Sequence, residues 1–242
     1  MNSELGVIIA KRSVSLSKAY LVIGIFLALV GVLISNLSGF VGNLSTNLIP
    51  ANSTSTGALS LGPSLPLVSV AIQALADLIF ATPVLLLYVY DKNNGVLEYF
   101  LSLGMNQGDI YRQYLKAALI LSSVMVALEV VINVVAGLIA GTSGTLILEV
   151  SGLVVAIALP AVSFGALIMM SFSSLQKQRV GSNQPLGMAI GVFIVMPAYI
   201  FPLVIPSLAF PIDLLLAGVI VILSFLMYLS SSRLIRREKL LP

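Results

Sequence analysis

The chain has 242 residues, of which 59% are hydrophobic and 9% charged, with a net charge of +3 and a mean hydropathy of +1.11. A soluble domain is about 45–50% apolar and about 25% charged, so these few charges cannot cover a water-facing surface. A disordered tail or nucleic-acid arm is excluded too, because both need high charge and low hydrophobicity. The class that remains is an all-α, polytopic membrane protein.

With no His, Cys or Trp, the chain lacks the means for His- or Cys-ligated zinc, haem or iron–sulfur sites, for disulfides, and for His- or Cys-based nucleophilic catalysis. Its nine acids are scattered rather than clustered, so no metal site is expected. No catalytic group stands out, and the chain is not read as an enzyme.

In chain order, residues 2–18 come first. Leu5, Ile8, Ile9 and Leu16 alternate with Lys11, Arg12, Ser13 and Ser15 at near-helical spacing. This predicts an amphipathic helix lying at the bilayer interface, the alternative being a frayed basic terminus. A spanning helix needs about 20 mostly apolar residues. Six segments qualify: 19–37, 67–90, 114–140, 146–172, 185–205 and 210–230. The first apolar run is too long for a signal peptide and has no small-residue cleavage site, so an uncleaved anchor is expected.

Every basic residue falls in alternate intervals. Lys11, Arg12 and Lys18 precede the first span. Lys92, Arg112 and Lys116 lie between the second and third, and Lys177 and Arg179 between the fourth and fifth. Arg233, Arg236, Arg237 and Lys239 follow the sixth. By the positive-inside rule both termini are cytoplasmic, in the cytoplasmic membrane. Residues 39–66 then form an uncharged outer loop, rich in Ser, Thr, Asn and Gly, with sequons at Asn43 and Asn52 and another at Asn36. Asn43 and Asn52 are candidate glycosylation sites; a polar loop also produces such triplets by chance, and Asn36 is too near the bilayer.

The loop 91–113 is unusually apolar for a segment facing water. Asn93-Asn94-Gly95 reads as a turn. Val96–Leu103 reads as a short helix stopped by Gly104 at C′, and a second helix starts near Asn106–Asp109 and runs into the third span. Val96, Leu97, Tyr99, Phe100, Leu101 and Leu103 would leave an uncovered apolar patch unless something binds it.

The order acid, Gly95, Leu97, Glu98, Leu101, Ser102 and Gly104, opened by Asp91 and followed by Lys116 entering the membrane, resembles the cytoplasmic loop of type-2 (exporter-class) ABC transporter permeases. It departs from that pattern in having Asp91 for the usual Glu and Gly104 where Pro is frequent. The resemblance implies a permease subunit that works as a dimer with a second copy or a homologous permease. It also implies a coupling helix that docks on a separate ATP-binding subunit, with ATP and magnesium held by that partner and no cofactor in this chain. The docking residues would be Asp91, Lys92, Gly95, Leu97, Glu98, Tyr99, Phe100, Leu101, Ser102 and Gly104. Tyr99, Phe100 and Leu101 would serve as anchors, and Asp91, Lys92 and Glu98 as rim charges. The other reading of the same helix is one that lies on the membrane with its apolar side in lipid.

Two carboxylates lie inside spans. Asp77 and Glu129 are each about 15 Å from the outer ends of the second and third spans at helical rise. Gln73 and Asn133 match in depth as well, so each helix carries a polar pair at i, i+4. The expectation is an interhelical polar seam facing protein. It either relays protons or binds a cationic substrate, or it is structural, with the acids hydrogen-bonded to Gln73 and Asn133. Glu149 and Asp213, at outer span ends, are expected to be solvated or near helix N-termini. Pro197, Pro202, Pro206 and Pro211 predict a bent outer hairpin, as two short kinked helices or as a gate.

The leading expectation is therefore an ATP-driven transport permease; the chain has no G-x-x-x-x-G-K-[ST] loop of its own. A proton-coupled secondary carrier using Asp77 and Glu129, and a non-transporting membrane anchor, are the alternatives. The lipid bilayer is the expected surrounding, and nucleic acid is not an expected partner.

Overall fold

A computed structural model of the protein describes residues 2–48, 64–172, 195–197, 200 and 208–234. The described residues are helical apart from short connections. They form α1 (Asn2–Leu16), α2 (Lys18–Leu48), α3 (Ser64–Asn93), α4 (Val96–Ser102), α5 (Gln107–Ala140), α6 (Gly144–Phe172) and α7 (Ala209–Leu234). Lys18–Leu37, Pro66–Asn93, Gln107–Ala140 and Gly144–Ile168 are long and apolar enough to cross a membrane. The chain is thus a multi-pass helical membrane protein with four such helices among the described residues. In α7 the apolar stretch is shorter, Phe210–Leu226. The expected span 185–205 lies almost wholly outside the described residues, as do Pro202 and Pro206 of the outer hairpin. Pro211 sits in the first turn of α7, where a missing N–H removes no helical bond.

The helix ends follow from local chemistry. Gly95, at φ 71°, precedes α4. After α4, Gly104 takes φ 81°, and the N–H groups of Gly104 and Met105 donate to Leu101 O and Phe100 O at 3.0 and 3.2 Å. This is a Schellman closure that only a left-handed residue permits. The same device ends α5, where Gly141 has φ 69° and Thr142 N–H donates to Gly137 O at 2.9 Å. The helix α2 continues to Leu48, past Gly39 where a loop was expected. Phe40, Val41 and Leu44 continue the apolar pattern, isolated glycines are tolerated in a helix, and the first proline is Pro50.

At the centre stands α3, packed against α2, α5 and α6, while α7 lies along α6. Ala71, Ala74 and Ala81 of α3 share a core with Ile157, Ala158 and Ala161 of α6. Small side chains let membrane helices approach closely, which is the main source of their packing energy. The same logic brings α2 onto α3: a Cβ at Gly31 would lie 2.7 Å from Gln73 Cγ, and one at Gly24 would lie 3.1 Å from Phe80 Cβ.

After Ser17 the chain changes direction, so α1 folds back against α3 and α5 rather than extending α2. Its buried seam is Gly6, Ile9, Ala10 and Ser13. Of the residues expected on its apolar face, Ile9 is buried in the bundle, while Ile8 and Leu16 are 58% and 53% exposed. Gly6 sets the rotation by admitting the Lys116 side chain, whose Cδ lies 3.1 Å from where a Cβ would sit. The described basic residues gather at this same end of the bundle. Arg12 and Lys18 lie at the α1–α2 junction, Lys92 at the end of α3, and Arg112 and Lys116 at the start of α5. Arg112 stacks 5.6 Å over the Tyr228 ring of α7.

Candidate functional site

Two features share the hairpin made by α3, α4 and α5. The first is the polar seam. Gln73 and Asn133 meet at the expected level, with Asn133 Nδ2 donating to Gln73 Oε1 at 2.7 Å. One turn deeper, the Asp77 and Glu129 carboxyls face one another, each with 0% exposure. No N–H or O–H of the described residues donates to any of their four oxygens. The structural alternative expected hydrogen bonds from Gln73 and Asn133 to these acids. Instead the two amides bond each other, and Gln73 Nε2 reaches Ser69 Oγ at 3.5 Å. Lys116, the nearest basic residue along α5, is about 20 Å from Glu129 at helical rise.

The seam is wider than the sequence indicates. Ser35 Oγ lies 3.0 Å from Asn133 Oδ1 and 2.8 Å from Val32 O. Asn36 Nδ2 donates to Ser35 Oγ at 2.9 Å, and Thr142 Oγ1 donates to Asn36 Oδ1 at 3.3 Å. Asn36 was legible only as a sequon; it is buried and engaged as seam glue. The overlooked signal was the adjacent polar pair Ser35-Asn36 closing an apolar run. Asn43 falls within helical α2, and Asn52 lies outside the described residues.

The second feature is α4 and its base. Leu97 has 0% exposure and is held in the chain's own core, with Phe100, Leu101 and Met105 packed partly against it. Tyr99 and Leu103 are each 61% exposed, and Ser102 and Gly104 are exposed as well, while Gly95 and Glu98 are half-buried. The apolar residues of α4 therefore divide between its own bundle and the outside.

Asp91 and Lys92 are buried, which corrects their expected place as rim charges for a partner. Asp91 Oδ1 pairs with Arg12 Nη2 at 3.0 Å, and Asp91 Oδ2 accepts from Tyr114 Oη at 2.6 Å. Tyr114 stacks edge-on against Tyr88 at 5.2 Å, and Tyr111 Oη donates to Leu167 O at 2.7 Å. This tyrosine layer fixes α1, α3, α5 and α6 together beneath α4.

At the other end of the bundle Glu149 is exposed. Asp213 lies near the N-terminus of α7, one of the two places expected for it, but it is buried rather than solvated, because it belongs to the stripe Asp213, Ala217, Ile220, Ser224 that α7 buries. Ser224 Oγ ties that stripe to α6 by donating to Pro160 O at 2.9 Å. Among the described residues no group of three or more His, Cys, Asp or Glu side chains could hold a metal ion. Comparison with protein-family models, with curated proteins and with solved structures gives no match.

Proposed function

We propose that this chain is the membrane-spanning permease subunit of an ATP-driven transporter. In this reading six spans cross the cytoplasmic membrane with both termini in the cytoplasm, and a separate subunit hydrolyses ATP while docked on α4. The observation that supports it is the construction of α4. It caps the α3–α5 hairpin at the basic end, is bracketed by two left-handed glycines, roots Leu97 in the core and presents Tyr99 and Leu103 outward. An aromatic and an aliphatic side chain on a rigid, rooted helix are suited to fill a partner's pocket. A push on α4 would pass through Leu97 into α3 and α5. The residues carrying the docking are then Leu103, Tyr99 and Glu98, and not Asp91 or Lys92.

The test is co-purification of the tagged chain from its native membrane. The expected result is an associated chain with a nucleotide-binding loop and ATP hydrolysis in the complex, both lost in Tyr99→Ala/Leu103→Glu while the chain still inserts. A complex that survives that double change rejects the reading. A second reading, a proton-coupled carrier, has the unpaired Asp77–Glu129 contact in its favour. It predicts transport driven by a pH gradient across vesicles without ATP.

A further inference from the structure

The four carboxyl oxygens of Asp77 and Glu129 are buried and receive no hydrogen bond from the described residues, and they sit on facing helices one turn below the Asn133–Gln73 bond that sets α3 and α5 in register. Two full negative charges in this position would repel at contact distance with no counter-charge. The other described helices packed here bring none. The charged residue of α2 is Lys18 at its beginning, and that of α6 is Glu149, exposed at the opposite end of the bundle. Among the described residues nothing offsets these charges, and a bound cation would. A calcium ion takes about six or more oxygen ligands, whereas the two carboxyls supply four and the Gln73 and Asn133 oxygens already accept from Asn133 Nδ2 and Ser35 Oγ. A proton needs only the two carboxyls.

Access to the pair is one-sided. Toward the α4 end the next side chains are the apolar Met125 and Phe80, and the first buried polar group beyond them on α5 is the Ser122 hydroxyl, seven residues from Glu129. Toward the α5–α6 turn the polar string Gln73, Asn133, Ser35, Asn36, Thr142 leads outward. Beside it, Ser35, Asn36, Asn133 and Thr142 line a small cavity, of a size for about one water.

We propose that the facing Asp77 and Glu129 carboxyls form a single-proton binding site, loaded from the α5–α6 turn side and sealed from the α4 side. The site rests on the membrane placement of α3 and α5 and needs no partner on α4. It deepens the carrier reading, yet the two fail separately: a loaded site without gradient-driven transport removes the carrier and leaves the site.

The experiment is labelling with dicyclohexylcarbodiimide of the full chain in lipid vesicles sorted for one insertion direction, read by peptide mass. A protonated carboxyl in an apolar setting adds to this reagent: its oxygen bonds the central carbon and its proton moves to a nitrogen. One adduct per chain is expected on Asp77 or Glu129, lost in Asp77→Asn/Glu129→Gln. Alkaline medium on the α5–α6 turn side should suppress it, while alkaline medium on the α4 side alone should leave it unchanged. Four results overturn the proposal: no adduct at these residues, adducts on both within one chain, suppression by sodium at fixed pH, or dependence on the α4-side pH. Mapping and sidedness on the unaltered chain decide the matter even if the double variant misfolds.

Discussion

Asp91 shows how a single carboxylate can be held inside the head of a bundle. Its side chain has 1% exposure and two donors, Arg12 from α1 and Tyr114 from α5. Arg12 is partly in water, so its ion pair is screened and weak. The buried Tyr114 hydroxyl makes the shorter bond. Tyr114→Phe keeps the ring against Tyr88 but leaves Asp91 Oδ2 with only the longer bond from Arg12 Nη1 at 3.2 Å, and should cost about 2 kcal/mol, measured as a lower thermal unfolding midpoint in detergent. In the seam, Asn133→Leu should cost about 1–3 kcal/mol because it strands Gln73 Oε1. Asp77→Asn is predicted to act in the opposite sense. It removes one of two facing acids at nearly constant volume, so the same unfolding assay should give a raised midpoint.

Among the elements, α5 and α6 approach closely at Gly137. A Cβ there would lie 2.5 Å from Ile147 Cδ1 and 3.1 Å from Asn36 Oδ1. Gly137→Ala should therefore destabilise by about 1–3 kcal/mol through overpacking, and Ile147→Ala in the same chain should recover most of that loss. A double-mutant cycle on unfolding midpoints checks this, since touching residues are non-additive.

The helices were largely legible in the sequence, because Gly95, Gly104 and Gly141 mark ends that local backbone geometry dictates. Counting inward from the outer span ends near Leu67 and Ile139 placed Gln73 level with Asn133 and Asp77 level with Glu129, since rise per residue is fixed. Helix rotation was not legible. The inward turn of Asp91, the seam on α1 and the burial of Asp213 depend on which face each neighbour offers, and for α1 that was decided by a glycine admitting one lysine stem. Ser35 and Asn36 escaped for the same reason, as polar residues at a span end are ordinary until a neighbour is known.

At the scale of the whole molecule, the seam, the tyrosine layer and α4 are stacked along one hairpin, with the basic residues at one end. The positive-inside rule predicts that this end faces the cytoplasm, and a direct check is open because the chain has no cysteine. Asn94→Cys and Ser143→Cys place single thiols at exposed turns on opposite ends. In intact cells an impermeant maleimide should label Ser143→Cys and leave Asn94→Cys untouched until the membrane is opened. Equal labelling of both would contradict a bundle with its basic end in the cytoplasm.

The burial of α3 carries one more consequence. In its membrane stretch 72% of residues are buried, against 33% for α2. A rod gripped from three directions behaves as an axle and a lightly held one as a rim. A push on α4 that reaches α3 should therefore turn the axle itself and carry α2, which packs along it, around with it.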